Sequence, residues 1–146
     1  MPYEFKMDRR VAFAETDMAG ILHFANFFRY MEEVEHAFFR SLGLQVHEGN
    51  EAGAMGWARG EASCRFMRPL TNDDVVELHL LVKEKRTKSI TYEITFRKDG
   101  EEMARGVVTA ICVGRVPGER GMQAVDMPSE VDGQVQVAPA SMFEDA

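Results

Sequence analysis

"FANFFRYMEEVEHAFFRSLG", residues 24–43, repeats bulky apolar side chains at steps of three and four: Phe24, Phe27, Phe28, Met31, Val34, Phe38 and Leu42. In a helix that spacing gives one apolar face, and Arg29, Glu32, Glu33, His36 and Arg40 fall on the polar face, with Arg29 and Glu33 at pairing distance. The helix is expected to run from about Phe24 to Leu42 and to stop at Gly43, a residue that turns left-handed without strain. No Ser, Thr or Asp stands directly before it as a cap. A carboxylate, Asp17, lies in the loop ahead of it, three residues before Gly20.

Working outward from this helix, the chain reads as sheet. Upstream, "MDRRVAFA" at 7–14 alternates Val11 and Phe13 with polar or small residues, as a half-buried strand does. Downstream, a glycine-rich polar loop, "HEGNEAGAMG", leads into four strand candidates at 57–66, 75–85, 89–98 and 102–113. Val76, Leu78, Leu80 and Val82 face one way in the second of these, and Ile90, Tyr92, Ile94 and Phe96 in the third, which Asp99-Gly100 closes onto the fourth as a tight hairpin. Ala58, Gly60, Ala62 and Cys64 in one strand, with Ala104, Gly106, Ala110 and Cys112 in another, offer small faces against which a Phe-rich helix can lie close. One strand, one helix and then a run of strands is the order of an α+β protein, a long helix wrapped by a five-stranded antiparallel sheet. Beyond Val113 periodicity fades, although Met122–Met127 offers a further ordered segment. The domain is therefore expected over 1–128, with 129–146 a flexible tail.

At 146 residues, 45% hydrophobic and 28% charged, the chain has the size and composition of one globular domain. A net charge of −7 argues against nucleic acid, whose phosphates need a basic face. No apolar run is long enough for a membrane span, and "MPYEFKMDRR" has no apolar signal region, so a cytoplasmic location is expected. Cys64 and Cys112 sit in apolar strands without CxxC spacing and read as reduced core thiols. The serines lack a Gly-x-Ser-x-Gly elbow, and His23, His36, His47 and His79 show no metal-ligand spacing, which leaves neither a serine triad nor a metal centre.

Asp17 stands apart because of its neighbours. Unpaired N–H groups at a helix start carry partial positive charge and can hold an oxyanion, and a carboxylate beside them can attack a carbonyl or activate water. That pairing suits acyl transfer without a serine. The ordinary alternative is that Asp17 is a cap or turn residue, Gly20 a backbone requirement and Asn26 a cap or loop anchor.

"AETDMAGILHFANFFRYMEEVEHAFF" resembles the signature of the hotdog-fold acyl-CoA thioesterases of the 4-hydroxybenzoyl-CoA type, in which Asp17, Ala19, Gly20 and Asn26 match the pattern. The likeness continues through "SCRFMRPLTNDDVVELHLLVKEKRTKSITYEITF" and more faintly "GERGMQAVDMPSEV". The resemblance implies that Asp17 is the catalytic carboxylate, as nucleophile or general base, that Gly20 bends the chain to admit substrate, and that the Phe24 backbone N–H polarises the thioester carbonyl. His23, where relatives often carry an aromatic residue, Asn26 and Glu32 become substrate-binding candidates. Arg86, Lys88 and Ser89, in the basic stretch "KEKRTKS", become contacts for the phosphates of coenzyme A, with Arg65 and Arg68 as additional basic residues. No separate cofactor or metal is implied, because coenzyme A belongs to the substrate. The resemblance also implies a dimer or tetramer with sheets joined edge to edge. Hydrolysis of an acyl-carrier-protein thioester, and a non-catalytic acyl-CoA binding module, are the alternatives.

Overall fold

The protein is described here by a computed structural model covering residues 1–47 and 55–143. Its order is β1 (Glu4–Arg10), α1 (Phe24–Ser41), β2 (Met55–Phe66), β3 (Val75–Lys85), β4 (Ser89–Lys98), β5 (Glu101–Arg115), β6 (Met122–Ala124) and α2 (Ser129–Gln134). The expected polar loop at 47–56 lies outside the described residues over 48–54.

The sheet runs β1-β3-β4-β5-β2, every neighbouring pair antiparallel, and β6 pairs with the end of β5. It therefore has six strands rather than five. The alternation read from the sequence is seen directly: Val76, Leu78, Leu80 and Val82 of β3 and Ile90, Tyr92, Ile94 and Phe96 of β4 are all at 0% exposure. Asp99 and Gly100 both take positive φ, 51° and 80°, as a two-residue hairpin that follows the strand twist requires.

Helix α1 lies against this apolar face through Phe27, Tyr30, Met31, Val34, Phe38 and Phe39. Its C-terminus is closed by Gly43 at φ 73°, whose N–H donates to the Arg40 carbonyl while the Leu44 N–H reaches back to Phe39 O, 2.9 Å away. The small-residue reading holds for β5. Gly106 is covered by the helix, and a Cβ there would run into Met31 Sδ and approach the Ser63 carbonyl to 3.2 Å. It does not hold for β2, an edge strand whose Ala58, Gly60 and Ala62 are exposed.

Three further expectations change. The first strand is Glu4–Arg10 rather than 7–14, so Val11 follows it into the core while Phe13 is left exposed in a 3-10 turn. Glu33 pairs with Arg9 of β1, Nε to Oε1 2.8 Å, and not with Arg29. Residues 129–143, taken from composition as tail, contain α2, and Val131 and Val135 are buried in the common core. The Gln136 N–H donates to Pro2 O and the Ala138 N–H to Val82 O, so this segment is bonded to both β1's entry and β3. Among the described residues no helix is long and apolar enough to cross a membrane.

Candidate active site

The segment between β1 and α1 is short, polar and heavily bonded. The Asp17 N–H donates to Ile21 O and the Gly20 N–H to Asp17 O, both at 2.9 Å, which makes 17–21 a three-residue hairpin with Gly20 at φ 82°. This geometry needs a residue that tolerates the left-handed region, so the glycine is explained by the turn itself. Within it Asp17 Oδ1 accepts the Ala19 N–H at 2.8 Å, which holds the half-buried carboxylate in one orientation. Thr16 and Leu22 bridge at the base of the hairpin.

Glu15 fastens the hairpin to the helix. Its backbone carbonyl accepts from the His23 N–H at 3.0 Å and from Asn26 Nδ2 at 2.8 Å. Its carboxylate accepts from Arg9 Nη2 (2.6 Å), Tyr30 OH (2.6 Å) and the Ala12 N–H (2.9 Å). Burial alone would push this carboxyl up, but the hydrogen bonds from Arg9, Tyr30 and Ala12 outweigh it and hold Glu15 down at about 2. The same contacts act on the partners: burial and then the Glu15 bond raise Tyr30, and the bonds to Glu33 and Glu15 raise Arg9. Sequence reasoning passed over Glu15, since a glutamate in a loop gives no signal until β1 and α1 are side by side.

The start of α1 is capped after all. His23 is the N-cap, its Nδ1 accepting the Ala25 N–H at 3.1 Å, its carbonyl accepting the Asn26 N–H, and its ring stacked on Phe24 at 4.8 Å. The Phe24 N–H has no hydrogen-bond partner among the described residues. Phe24 itself, counted by its spacing with the apolar face, is 62% exposed.

Asp17 and Phe24 line one cleft of about 450 Å³ with Ile21, Leu22, Phe27, Phe66, Met67, Arg68 and Pro69. Its walls are mostly apolar, with Phe27 packed edge-on to Phe66 at 5.0 Å, and Asp17 and Arg68 are its charged members. Phe66, Met67 and Arg68 come from the end of β2 and the turn after it, a contribution that the sequence does not reveal because it depends on strand order.

The remaining candidates lie elsewhere. Asn26 is the loop anchor, committed to Glu15 O. Glu32 lines a separate cavity of about 240 Å³ with Glu35 and Arg59. Glu35 of the same helix is 3% exposed and paired to Arg59 Nη2 at 2.6 Å. Burial opposes the Arg59 charge, yet the bond to Glu35 leaves that guanidinium raised. Arg86 pairs with Glu84 and Lys88 with Asp126, and the cavity beside them is walled by Asp126, Met127, Ser129 and Asp132 of the C-terminal segment. Ser89 starts β4 and gives its carbonyl to the Arg86 N–H. Burial pushes the Cys64 thiol up to about 11, so it stays protonated at neutral pH and is no nucleophile.

Residues 11–135 match the model of the thioesterase-like superfamily. A protein of Aquifex aeolicus (strain VF5), whose name goes no further than esterase, is 38% identical over 100 residues, 68% of this chain and 76% of its own. The 4-hydroxybenzoyl-CoA thioesterase of Pseudomonas sp. (strain CBS-3) is 29% identical over 91 residues, 61% of this chain and 64% of its own. The solved structure of a gentisyl-coenzyme A thioesterase superposes with a TM-score of 0.76 at 26% identity, over 90% of this chain and 100% of that one. With its long helix laid on an antiparallel sheet, this chain belongs to the thioesterase-like superfamily and is a hotdog-fold hydrolase of thioesters.

Proposed function

We propose that the chain hydrolyses an aromatic acyl-CoA to the free acid and coenzyme A in the cleft between the 17–21 hairpin and the end of β2. The observation that carries this reading is that a single apolar cleft gathers the Asp17 carboxylate and Phe24, the helix residue whose N–H is unpartnered among the described residues. In the reaction the Phe24 N–H donates to the thioester oxygen as it gains charge. Asp17 either attacks the carbonyl carbon, giving a mixed anhydride that water then cleaves to the free acid and the regenerated carboxylate, or takes a proton from the water that attacks the carbonyl itself; in both routes the C–S bond breaks and the thiolate leaves and is protonated. The ring walls from Phe24, Phe27 and Phe66 suit a flat acyl group, and the relatives named above for 4-hydroxybenzoyl and gentisyl thioesters carry such groups.

A panel of aromatic, branched, short and long acyl-CoAs assayed with a thiol-reactive reporter tests this. The aromatic thioesters are expected to give the highest kcat/KM; release from none of the panel sinks the assignment. Two chains joined along β2 belong to the same reading, because β2 is a 12-residue edge strand that is mostly exposed. Sedimentation equilibrium is expected to give at least twice the chain mass, and a monomer at micromolar concentration overturns that part.

A further inference from the structure

The residue that opens α1 caps it with a group whose bonding capacity changes near neutral pH. Ser, Thr and Asn cap a helix through an oxygen that does not titrate in that range. His23 does so through a ring nitrogen: Nδ1 accepts the Ala25 N–H at 3.1 Å, which puts the ring proton on Nε2. An imidazolium carries a proton on both nitrogens and accepts nothing. Protonation of this exposed ring therefore removes the cap and sets a cation at the positive end of a helix, which the macrodipole opposes.

The ring is tied to the reacting end of the helix from three sides. It stacks on Phe24 at 4.8 Å with 23° between the planes, and Phe24 lines the Asp17 cleft. The His23 N–H donates to Glu15 O at 3.0 Å, and the His23 carbonyl accepts the Asn26 N–H at 2.8 Å. The Phe24 N–H lies between these fastened groups, one residue ahead of the capped Ala25 N–H. The adjoining elements do little to favour a charged ring. The first turn of α1 has no acidic residue, the Glu15 carboxylate accepts from Arg9, Tyr30 and Ala12, and the end of β2 brings a further cation, Arg68, to the cleft wall. Asp17 in the hairpin is the carboxylate that favours a cation there, and any pairing with it withdraws the reacting group.

We propose that His23 is a positioning residue for the reaction, whose neutral ring holds the helix start, and with it the Phe24 N–H, in place for the thioester oxygen. It acts through the backbone and touches no reacting atom. This rests on the thioesterase reading above. Turnover is then turned down by acid at a group outside the chemical step.

The test compares kcat/KM of the wild type, His23→Asn and His23→Ala on one aromatic acyl-CoA from about pH 5.5 to about pH 7.5, where an imidazole changes charge and an ordinary carboxylate does not. The wild type is expected to lose about fivefold at the acid end, the scale of a lost cap. His23→Asn, whose oxygen accepts throughout, is expected to show a flat profile, and His23→Ala a flat but lower one. An acid limb that persists in His23→Asn belongs to another group and overturns the proposal, as does a wild-type profile without that limb. Proton–nitrogen NMR of the wild-type protein reads the cap without turnover: the Ala25 amide is expected to shift with the midpoint of the His23 ring, and an Ala25 amide that ignores that titration also overturns it. Absence of turnover by the wild type at every pH sinks the thioesterase reading itself, whereas persistent turnover with an unchanged acid limb in His23→Asn sinks only the role of His23.

Discussion

Asp17→Asn is expected to lower the rate of thiol release from an aromatic acyl-CoA by about 10³-fold, within the range for loss of a positioned acid or base. The substitution is nearly isosteric, and the one hydrogen bond that the carboxylate makes among the described residues survives it, because an amide oxygen accepts the Ala19 N–H as a carboxylate oxygen does. The turn also keeps its backbone bonds, Asp17 N–H to Ile21 O and Gly20 N–H to Asp17 O. The melting temperature should therefore stay within about 2 °C of wild type, in line with a stability change of a few tenths of a kcal/mol. Activity and stability then separate, which a turn residue of purely structural value would not allow. Turnover near the wild-type rate would sink the catalytic assignment.

Glu15→Gln is expected to act in the opposite way, mainly on stability and through pH. In the folded protein the Glu15 carboxyl sits at about 2, below its ordinary value of 4.5. A carboxyl depressed by folding stabilises the native state above its unfolded pKa, and that contribution drains away as the pH falls through 4.5 toward 2. The amide cannot take up the Arg9 charge, so denaturant unfolding at pH 7 should show a loss of about 2 kcal/mol, the scale of hydrogen bonds to a charged group. The gap should shrink below pH 4.5 and nearly close by pH 2. A gap that is constant across that interval would mean that Glu15 acts by shape and not by charge.

The helix was legible because period, length and stop signal agreed: Phe27, Met31, Val34 and Phe38 are buried and Gly43 ends α1 as expected. The inner strands were legible for the same reason, since their alternation leaves no choice of face. Legibility failed where a residue's role depends on a neighbour distant in the chain. Glu33 has a good partner four residues back at Arg29, yet Arg9 of β1 holds it. Glu35 looks like any solvated helix acid until Arg59 of β2 is laid beside it. The small residues of β2 read as a face for the helix, but Ala58, Gly60 and Ala62 of this edge strand are exposed. In the cleft, Asp17 was singled out by its place in the loop before the helix, and the Phe24 N–H by the family resemblance. Phe66 and Arg68 were not placed beside them, because no local pattern says which strand end meets the helix start.

The pairing of Lys85 with Asp132 and of Lys88 with Asp126 reaches beyond the question of where phosphates go. Lys85 Nζ also takes the carbonyls of Asp132 and Val135, at 2.7 and 2.9 Å, so the lysine works as a clasp on the end of α2. Val131 and Val135 sit in the core beneath that clasp. A stretch of sequence that looks like a landing place for a foreign anion carries a fastening as well, with counter-ions supplied from 47 and 38 residues further along the same chain.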